Sequence, residues 1–586
     1  TMASAAQVVV KDEEELREAY ETVSNGDIIR LSNDIFLSQP LQWDRDISIT
    51  IDGSENRYSI LPAEDFPTAP YEQQFLINIT KTDVHFYHII IDGKDRVGGI
   101  NIYNDCSQEQ NYHFDAMTVK STNRGAGNGS GVSISSYSDS VPVTNGFTGV
   151  NSTRVTIDNG TIFTQNYLAP DDSSSFGAAL YTRGNVLVNI DDATFSKNTA
   201  CSGGAISQTY SYITMTSQTV FTGNRAGQRG GAIICNGPLV MDGTQISGNT
   251  SSQFGGAIFV AAHTGNHGQV IMKNGASITG NTANSAGGGM YISDEAEVYL
   301  DEASNGQPIS VTNNRVPSAG GADNEKNNIF VAAVGAKLYV ASAHTKGEIG
   351  VSTQNPYKSE DLVWSTTTEA LNTTPNGSAK GLNGCLQRMG VATYQPYSIQ
   401  TNFTEDQYAL FVYDSEVYQL VKSTTGNDAI MLTYGEAAIV FDLNLPGQPA
   451  EVVEKVAAGS VIKVPDVQDQ TVGNTKFTFL GWYTEAEGGQ KVTTVTGQEA
   501  GVVVYYAHWK VESTGGGSGG GSIGTGSLRI VYFDQNTGSG GLTSAYILAG
   551  DFTITIYDDE GNSEEKTVTL PFAWPEDPAR KGYDFK

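Results

Sequence analysis

The chain has 586 residues, with 34 Lys+Arg against 64 Asp+Glu and a formal net charge of −30. A surface this acidic repels phosphate backbones and anionic lipid heads, which argues against nucleic acid and bare membrane as partners. No apolar run approaches the ~20 residues that cross a bilayer. The four cysteines, Cys106, Cys201, Cys235 and Cys385, form neither a disulfide framework nor a zinc spacing and read as buried or idle thiols.

In chain order, residues 1–6 (TMASAA) carry no visible leader and read as a cut start. The segment 13–23 (EEELREAYETV) puts Leu16, Ala19, Tyr20 and Val23 on one face of a helix, which Asn25-Gly26 stops. A short amphipathic helix at this place is expected to cap an open strand stack, whose end exposes unpaired edges. Short alternating strands follow around Ile47-Ser-Ile-Thr-Ile-Asp52, Phe75-Leu-Ile-Asn-Ile79 and His88-Ile-Ile-Ile-Asp92. Gly98-Gly99-Ile100 reads as an early, degenerate copy of what comes next.

Between 166 and 321 one phrase recurs: Phe/Ile/Val-x-x-Asn, a few small or polar residues, then Gly-Gly-Ala-Ile or a near copy. Its asparagines are Asn166, Asn198, Asn224, Asn249, Asn281 and Asn314, at steps of 32, 26, 25, 32 and 33 residues. Its glycine members open at Gly177, Gly203, Gly230, Gly255, Gly287 and Gly320. Self-similarity at this period marks a solenoid, in which each repeat buries its apolar face by stacking on its neighbours. Each repeat resolves into three strands with alternating apolar residues: a glycine strand, a second such as Val186-Leu-Val-Asn-Ile190, and a third such as Phe221-x-x-Asn224. That pattern predicts an all-β, right-handed parallel β-helix. The asparagines are expected to stack as a structural ladder at one corner, and the glycines to permit positive φ and close approach of coils. Asp191, Ser217, Asp242 and Asn274 share one column of turn formers. Extra residues at 168–175, 262–268 and 303–307 are candidate binding loops, with His263, Asn266 and His267 as candidate binding residues.

Past 321 the phrase fades. The strands at 328–331, 337–340, 408–413, 417–421 and 429–433 read as distorted closing coils or a terminal cap, so 1–436 is predicted to be the rod. Residues 437–510 form a separate small β module, 511–527 (through STGGGSGGGSIGTGS) a flexible tether, and 528–586 a second module. Ile530-Val-Tyr-Phe-Asp-Gln-Asn536 echoes 439–444, but the copy stops short, and the natural chain is expected to continue.

The Gly-Gly-Ala-Ile and Phe-x-x-Asn pair resembles the repeats of chlamydial polymorphic membrane proteins and related bacterial surface β-helix adhesins. The entry, with Asn25-Gly-Asp-Ile-Ile-Arg-Leu31, looks like the capped start of pectin-lyase-like β-helices. Residues 438–510 resemble the internalin-type B repeat in Phe441-Asp-Leu-Asn444, Phe477-Thr-Phe-Leu-Gly-Trp-Tyr483, Gly488-Gly489 and Tyr506-Ala-His-Trp509. That family implies a small β-grasp-like fold common in bacterial surface proteins. No membrane-barrel translocator or wall-sorting signal appears in this sequence. Together the resemblances imply an exported surface protein, attached to the cell wall through a further C-terminal region.

The same rod also hosts polysaccharide lyases and hydrolases, so fold alone does not decide activity. Two blocks shared by pectin hydrolases, Gly-His-Gly and Arg-Ile-Lys, are absent, and Asp191-Asp192 falls in the turn column. Asp171-Asp172 and Asp301-Glu302 read as exposed acidic turns, and the seven histidines, His85, His88, His113, His263, His267, His344 and His508, show no metal spacing. No phosphate loop or nucleophile elbow is present. The sequence therefore predicts a non-catalytic adhesin or stalk without cofactor or metal, binding a host-surface or extracellular glycan or protein. The alternative is a polysaccharide lyase or glycoside hydrolase.

Overall fold

The computed structural model describes residues 5–67, 74–137, 151–263, 266–301, 307–317, 324–332, 335–340, 347–353, 361–365, 409–414, 418–423, 429–434, 438–445, 451–453, 456–472, 475–498, 502–513, 528–533, 543–548, 551–557 and 563–569. Two units separate at the chain, Thr1–Gly435 and Glu436–Lys586.

The first unit is a right-handed parallel β-helix. The second strands of successive coils form one sheet of 15 strands, while the glycine strands and third strands share one of 22. Pairing within the coils is parallel and in register: Val186–Ile190, for example, lies between Thr153–Asp158 and Tyr212–Met215. Gly98–Asn104 occupies the glycine-strand column, between Phe75–Ile79 and Val132–Ser136.

The sequence predicts three strands per coil; the structure corrects this by adding a fourth. Thr199–Ser202, Arg225–Arg229, Thr250–Ser251, Thr282–Ala283 and Arg315–Pro317 each follow a phrase asparagine and belong to a six-stranded sheet. The asparagine corner holds consecutive coils at strand spacing, so even two residues beyond it satisfy their backbone groups by pairing.

At that corner the side chains form one directional chain. Thr122 donates to Asn166 Oδ1, and each asparagine amide then donates to the next: 166 to 198, 198 to 224, 224 to 249, 249 to 281, and 281 to 314, all at 2.9 Å. The backbone N–H of each of these donors goes to the same Oδ1 at 2.9–3.1 Å. Two members lie outside the repeated phrase. Asn314 donates to Asn328 at 3.0 Å, and Asn328 donates to Asp414 through its side chain at 2.6 Å and its backbone at 2.7 Å. The aligned amides thus point their positive ends at a carboxylate, as a helix N-terminus points at an anion. Beside the ladder, Gly230 has φ +65, and a Cβ on Gly231 would stand 2.0 Å from Gly256 O of the next coil. The paired glycines let the coils close to that distance.

The helix Glu13–Thr22 caps the first coil. Asp12 accepts the Glu15 N–H, and Leu16, Ala19 and Tyr20 are buried. Tyr20 stacks on Trp43 at 5.8 Å, Trp43 on Phe86 at 6.0 Å, and Phe86 meets Phe114 at 5.6 Å, which starts an aromatic column inside the rod. At the other end Asp361–Ser365, Ala429–Tyr434 and Tyr418–Lys422 pair antiparallel, and this reversal ends the parallel stack.

In the second unit Ala438–Asp442 lies parallel to Val502–Ser513, with Thr475–Tyr483 antiparallel on the far side. The first and last strands of the module are therefore neighbours, as in a β-grasp sheet. Phe441, Phe477, Trp482 and Trp509 fill its core, and the two indoles donate to Pro465 O and Leu443 O. The last strand runs to Ser513, three residues into the expected tether, because Val511 and Glu512 still face Phe477 and Lys476. Leu528–Phe533 pairs antiparallel with Thr543–Leu548, as Ala438–Asp442 does with Glu451–Val453.

Directionality makes the ladder sensitive to chemistry as well as to size. Asn249→Asp keeps the acceptor for Asn224 but sets a carboxylate against Asn281 Oδ1, whereas Asp414 has only donors around it. Asn249→Asp and Asn249→Ala are each expected to destabilise the rod by about 2–5 kcal/mol. Asp414→Asn, which turns an amide donor toward the Asn328 and Ser352 donors, is expected to cost about 1–3 kcal/mol. Denaturant titration followed by circular dichroism reads both losses, and an Asn249→Asp or Asp414→Asn variant as stable as wild type would refute the directional account.

Candidate ligand-binding face

The alternation of the 15-stranded sheet sends Ile49, Val84, Tyr112, Val155 and Val188 inward with Ile51, Phe86, Phe114, Ile157 and Ile190. The residues between them face out and align across coils. One outward column reads Thr50, His85, His113, Thr156, Asn189, Thr214; the next reads Asp52, Tyr87, Asp115, Asp158. With strands ~4.8 Å apart, this face presents a plate of hydrogen-bonding groups at regular intervals.

The plate is cross-linked. His85 Nε2 bonds Asp115 Oδ2 at 2.9 Å, and His113 Nε2 bonds Asp158 Oδ1 at 2.7 Å, so each imidazole reaches the carboxylate of the following coil. The two rings stack with centroids 4.4 Å apart and planes 10° from parallel. Asn159, at φ +53 in the adjoining turn, donates to Asp115 Oδ1 at 2.8 Å. Burial by itself would raise the Asp115 carboxyl; the hydrogen bonds from Asn159 and His85 and the nearby His113 outweigh it and hold it below its ordinary value. Asp83 goes the other way: burial raises it, Asp46 and Glu109 add to the rise, and hydrogen bonds from Asn111 oppose it. The arginines of this face are ion-paired, Arg30 with Asp52 and Arg154 with Glu109. Toward the next coil Thr214 donates to Asn189 at 2.6 Å.

Sequence spacing points away from these residues, because His85 and His113 are 28 positions apart. The coil period brings them together. The legible signal is the pair Val84-His-Phe-Tyr87 and Tyr112-His-Phe-Asp115, an inward–outward–inward–outward pattern repeated at one coil. A ring nitrogen of each histidine and a carboxylate oxygen of Asp115 all lie within 4.8 Å of one another.

The expected loops contribute less. Ala262–His263 pairs antiparallel with Asn266–His267, with Ala262 opposite His267 and His263 opposite Asn266. The side chains of His263, Asn266 and His267 lie outside the described residues. Residues 168–175 are pinned at both ends by fully buried Leu168 and Ser175, and Gly227 packs so closely on Pro170 that a Cβ there would sit 1.7 Å from its carbonyl oxygen. Residues 302–306 lie outside the described residues. Cys106, Cys201 and Cys235 are free and buried, and burial pushes the thiols of Cys201 and Cys235 up to about 11 and about 12. Cys385 lies outside the described residues.

From Pro238 onward the outer face of the same sheet is no longer open. Val240, Ile271, Tyr299 and Tyr339 replace the polar columns and are buried. Glu297 is enclosed there, accepting from Tyr299 O–H at 2.9 Å with Lys337 opposite. Burial pushes its carboxyl up to about 8, against the Tyr299 hydrogen bond and the Lys337 charge.

In comparisons with known proteins, residues 438–508 match the family model described as the Listeria-Bacteroides repeat domain. A crystal structure of alginate lyase from Paenibacillus sp. str. FPU-7 aligns over 55% of this chain and 97% of that one, at 13% identity and a TM-score of 0.27. A likeness at that level says nothing about activity. No curated protein matches the chain. Among the described residues no helix is long and apolar enough to cross a membrane.

Glu297 generates a pH prediction. A folded-state value above the ordinary 4.5 means that the folded chain holds the proton more tightly than the unfolded one. Its stabilisation is complete below about pH 4.5 and is lost as pH rises toward 8. Glu297→Gln is therefore expected to melt with wild type near pH 4 and at least ~2 °C above it near pH 9. A melting difference that does not vary with pH would remove this carboxyl from the account.

Proposed function

We propose that the chain is an exported bacterial surface protein, an adhesin or stalk, that binds a neutral extracellular glycan along the outer plate of its first coils and does not cleave it. The plate itself carries the reading. Protein interfaces centre on clustered apolar and aromatic anchors, whereas the outward columns offer mostly Thr, His, Asn, Asp and Arg, with half-buried Tyr87, Leu187 and Tyr212 and exposed Val9 set among them. Repeated donors and acceptors beside an aromatic face suit a chain of hydroxyls. The carboxylates of the plate and the net charge of −30 favour a neutral glycan over a polyuronate. Export and surface location draw their support from the resemblance of 438–510 to internalin-type B repeats, which would hold the rod away from the cell.

The second reading, a polysaccharide lyase or hydrolase, draws on the His85–Asp115 and His113–Asp158 pairs, since an imidazole with a carboxylate partner suits general acid–base work. Against it stands the pairing of Arg30 and Arg154, which leaves neither free to neutralise a uronate carboxylate.

A glycan array followed by calorimetry tests both readings. The wild-type chain is expected to retain neutral oligosaccharides, and Tyr87→Ala/Asn189→Ala to weaken that binding at least ~10-fold through lost stacking and hydrogen bonds. Binding unchanged in the double variant, or none at all, would sink the plate as a ligand face. Release of unsaturated or reducing ends from any glycan would overturn the non-catalytic reading.

A further inference from the structure

The His–Asp cluster has a chemistry that glycan binding does not need. Two imidazoles and a carboxylate on adjacent strands, with donor atoms all within 4.8 Å of one another, form a compact nitrogen–oxygen set. We propose that His85, His113 and Asp115 bind one divalent transition-metal ion of the zinc class, with Asp158 orienting His113.

Four observations carry this. First, the ligand types select the ion. Calcium and magnesium require shells of six or more oxygens, whereas two imidazoles plus one carboxylate are a common zinc set. Second, the backbone has already done the assembly. His85 and His113 are partners in register on Asp83–Tyr87 and Gln110–Asp115, so their stems start one strand spacing apart. Zn–N and Zn–O bonds of about 2.0–2.2 Å need donor atoms roughly 3.3 Å from one another. His85 Nε2 and Asp115 Oδ2 are 2.9 Å apart already, and a ring nitrogen of His113 lies within 4.8 Å of both ligand partners. Third, the supporting hydrogen bonds are those of a metal site. A ligating histidine usually gives its other N–H to a carboxylate, and a ligating carboxylate is itself hydrogen-bonded. Asp158 partners His113, and Asn159 donates to the Asp115 oxygen that His85 does not use. Fourth, the side chains of His85 and His113 are 36% and 33% exposed, so an ion reaches them and keeps a coordination position open to water or a ligand oxygen. Asp83 lies on the same face and adds negative potential.

Alternating inward and outward residues hold the donors in place. Phe86 and Phe114 follow the two histidines, are fully buried and pack on each other at 5.6 Å. Neither strand can twist to withdraw its imidazole without disturbing that contact.

The proposal rests on side-chain geometry and is independent of whether the plate binds glycan, so it is tested with metal alone. The full chain, stripped with a chelator, is titrated with Zn2+ by calorimetry and with Co2+ by visible absorption, in a buffer without saccharide. One Zn2+ per chain is expected at a dissociation constant of about 10 µM or tighter, with the intense Co2+ bands of a four-coordinate site. His85→Ala, His113→Gln and Asp115→Asn should each weaken binding at least ~10-fold. His263→Ala/His267→Ala, which removes the other histidine pair, should leave it unchanged. Circular dichroism identifies any variant that fails to fold, and the three separate substitutions keep the test open if one does. Binding weaker than ~100 µM, or equal binding by the wild type and folded cluster variants, overturns the site.

Discussion

The rod depends on a hydrogen-bond chain with a direction. From Thr122 through seven asparagines to Asp414, side chains donate the same way, and most steps add a backbone N–H to the same oxygen. Such chains polarise their members, so each amide strengthens its neighbours in a dry interior. The arrangement also fixes spacing: a coil that slipped by one residue would lose its asparagine from the ladder and turn its apolar residues outward. Asp414 ends the run where a further amide would need another acceptor, and Ser352 donates to it as well.

Fixed register is what gives the outer surface its order. Once coils stack without slippage, every outward position becomes a column, and a column brings residues tens of positions apart to within hydrogen-bonding reach. The His85–Asp115 and His113–Asp158 bonds span 30 and 45 residues and arise this way. The insertions that a solenoid usually reserves for binding are, where described, tied down instead. Leu168 and Ser175 anchor one of them, and in another Ala262–His263 pairs antiparallel with Asn266–His267. The regular part of the surface thus offers more defined chemistry than the irregular part.

Much of the architecture is legible in the sequence because it repeats. The glycine and asparagine members announce the coil, and strand alternation announces the sheet faces. Asn328 and Asp414 are invisible to the same reading. Neither belongs to the phrase, and Asp414 joins the ladder across 86 residues, a separation that no local pattern encodes. The fourth strand is hidden for another reason: two residues such as Thr250–Ser251 carry no periodicity and become a strand only through their neighbours. The candidate site escapes because metal and acid–base motifs are sought at short spacings. Here the relevant spacing is the coil, and it appears only when 84–87 is laid over 112–115.

The His85–His113–Asp115 cluster also sits where the ladder does not reach. Ser48–Asp52, Asp83–Tyr87 and Gln110–Asp115 precede Thr122, the first donor of the chain. These coils are held from inside by Tyr20, Trp43, Phe86 and Phe114, and at their turns by Arg57, which donates to Ala116 O and Thr118. Rings packed beneath the strands fix the outward side chains without using any of their polar groups. Further along, the asparagine corner supplies that stability, and the outer columns turn apolar and close over Ile271 and Tyr299. The two ends of the rod have thus divided the work. The ladder coils spend their asparagines on their own cohesion, whereas the entry coils rely on aromatic packing and hold His85, His113 and Asp115 together on the outer face.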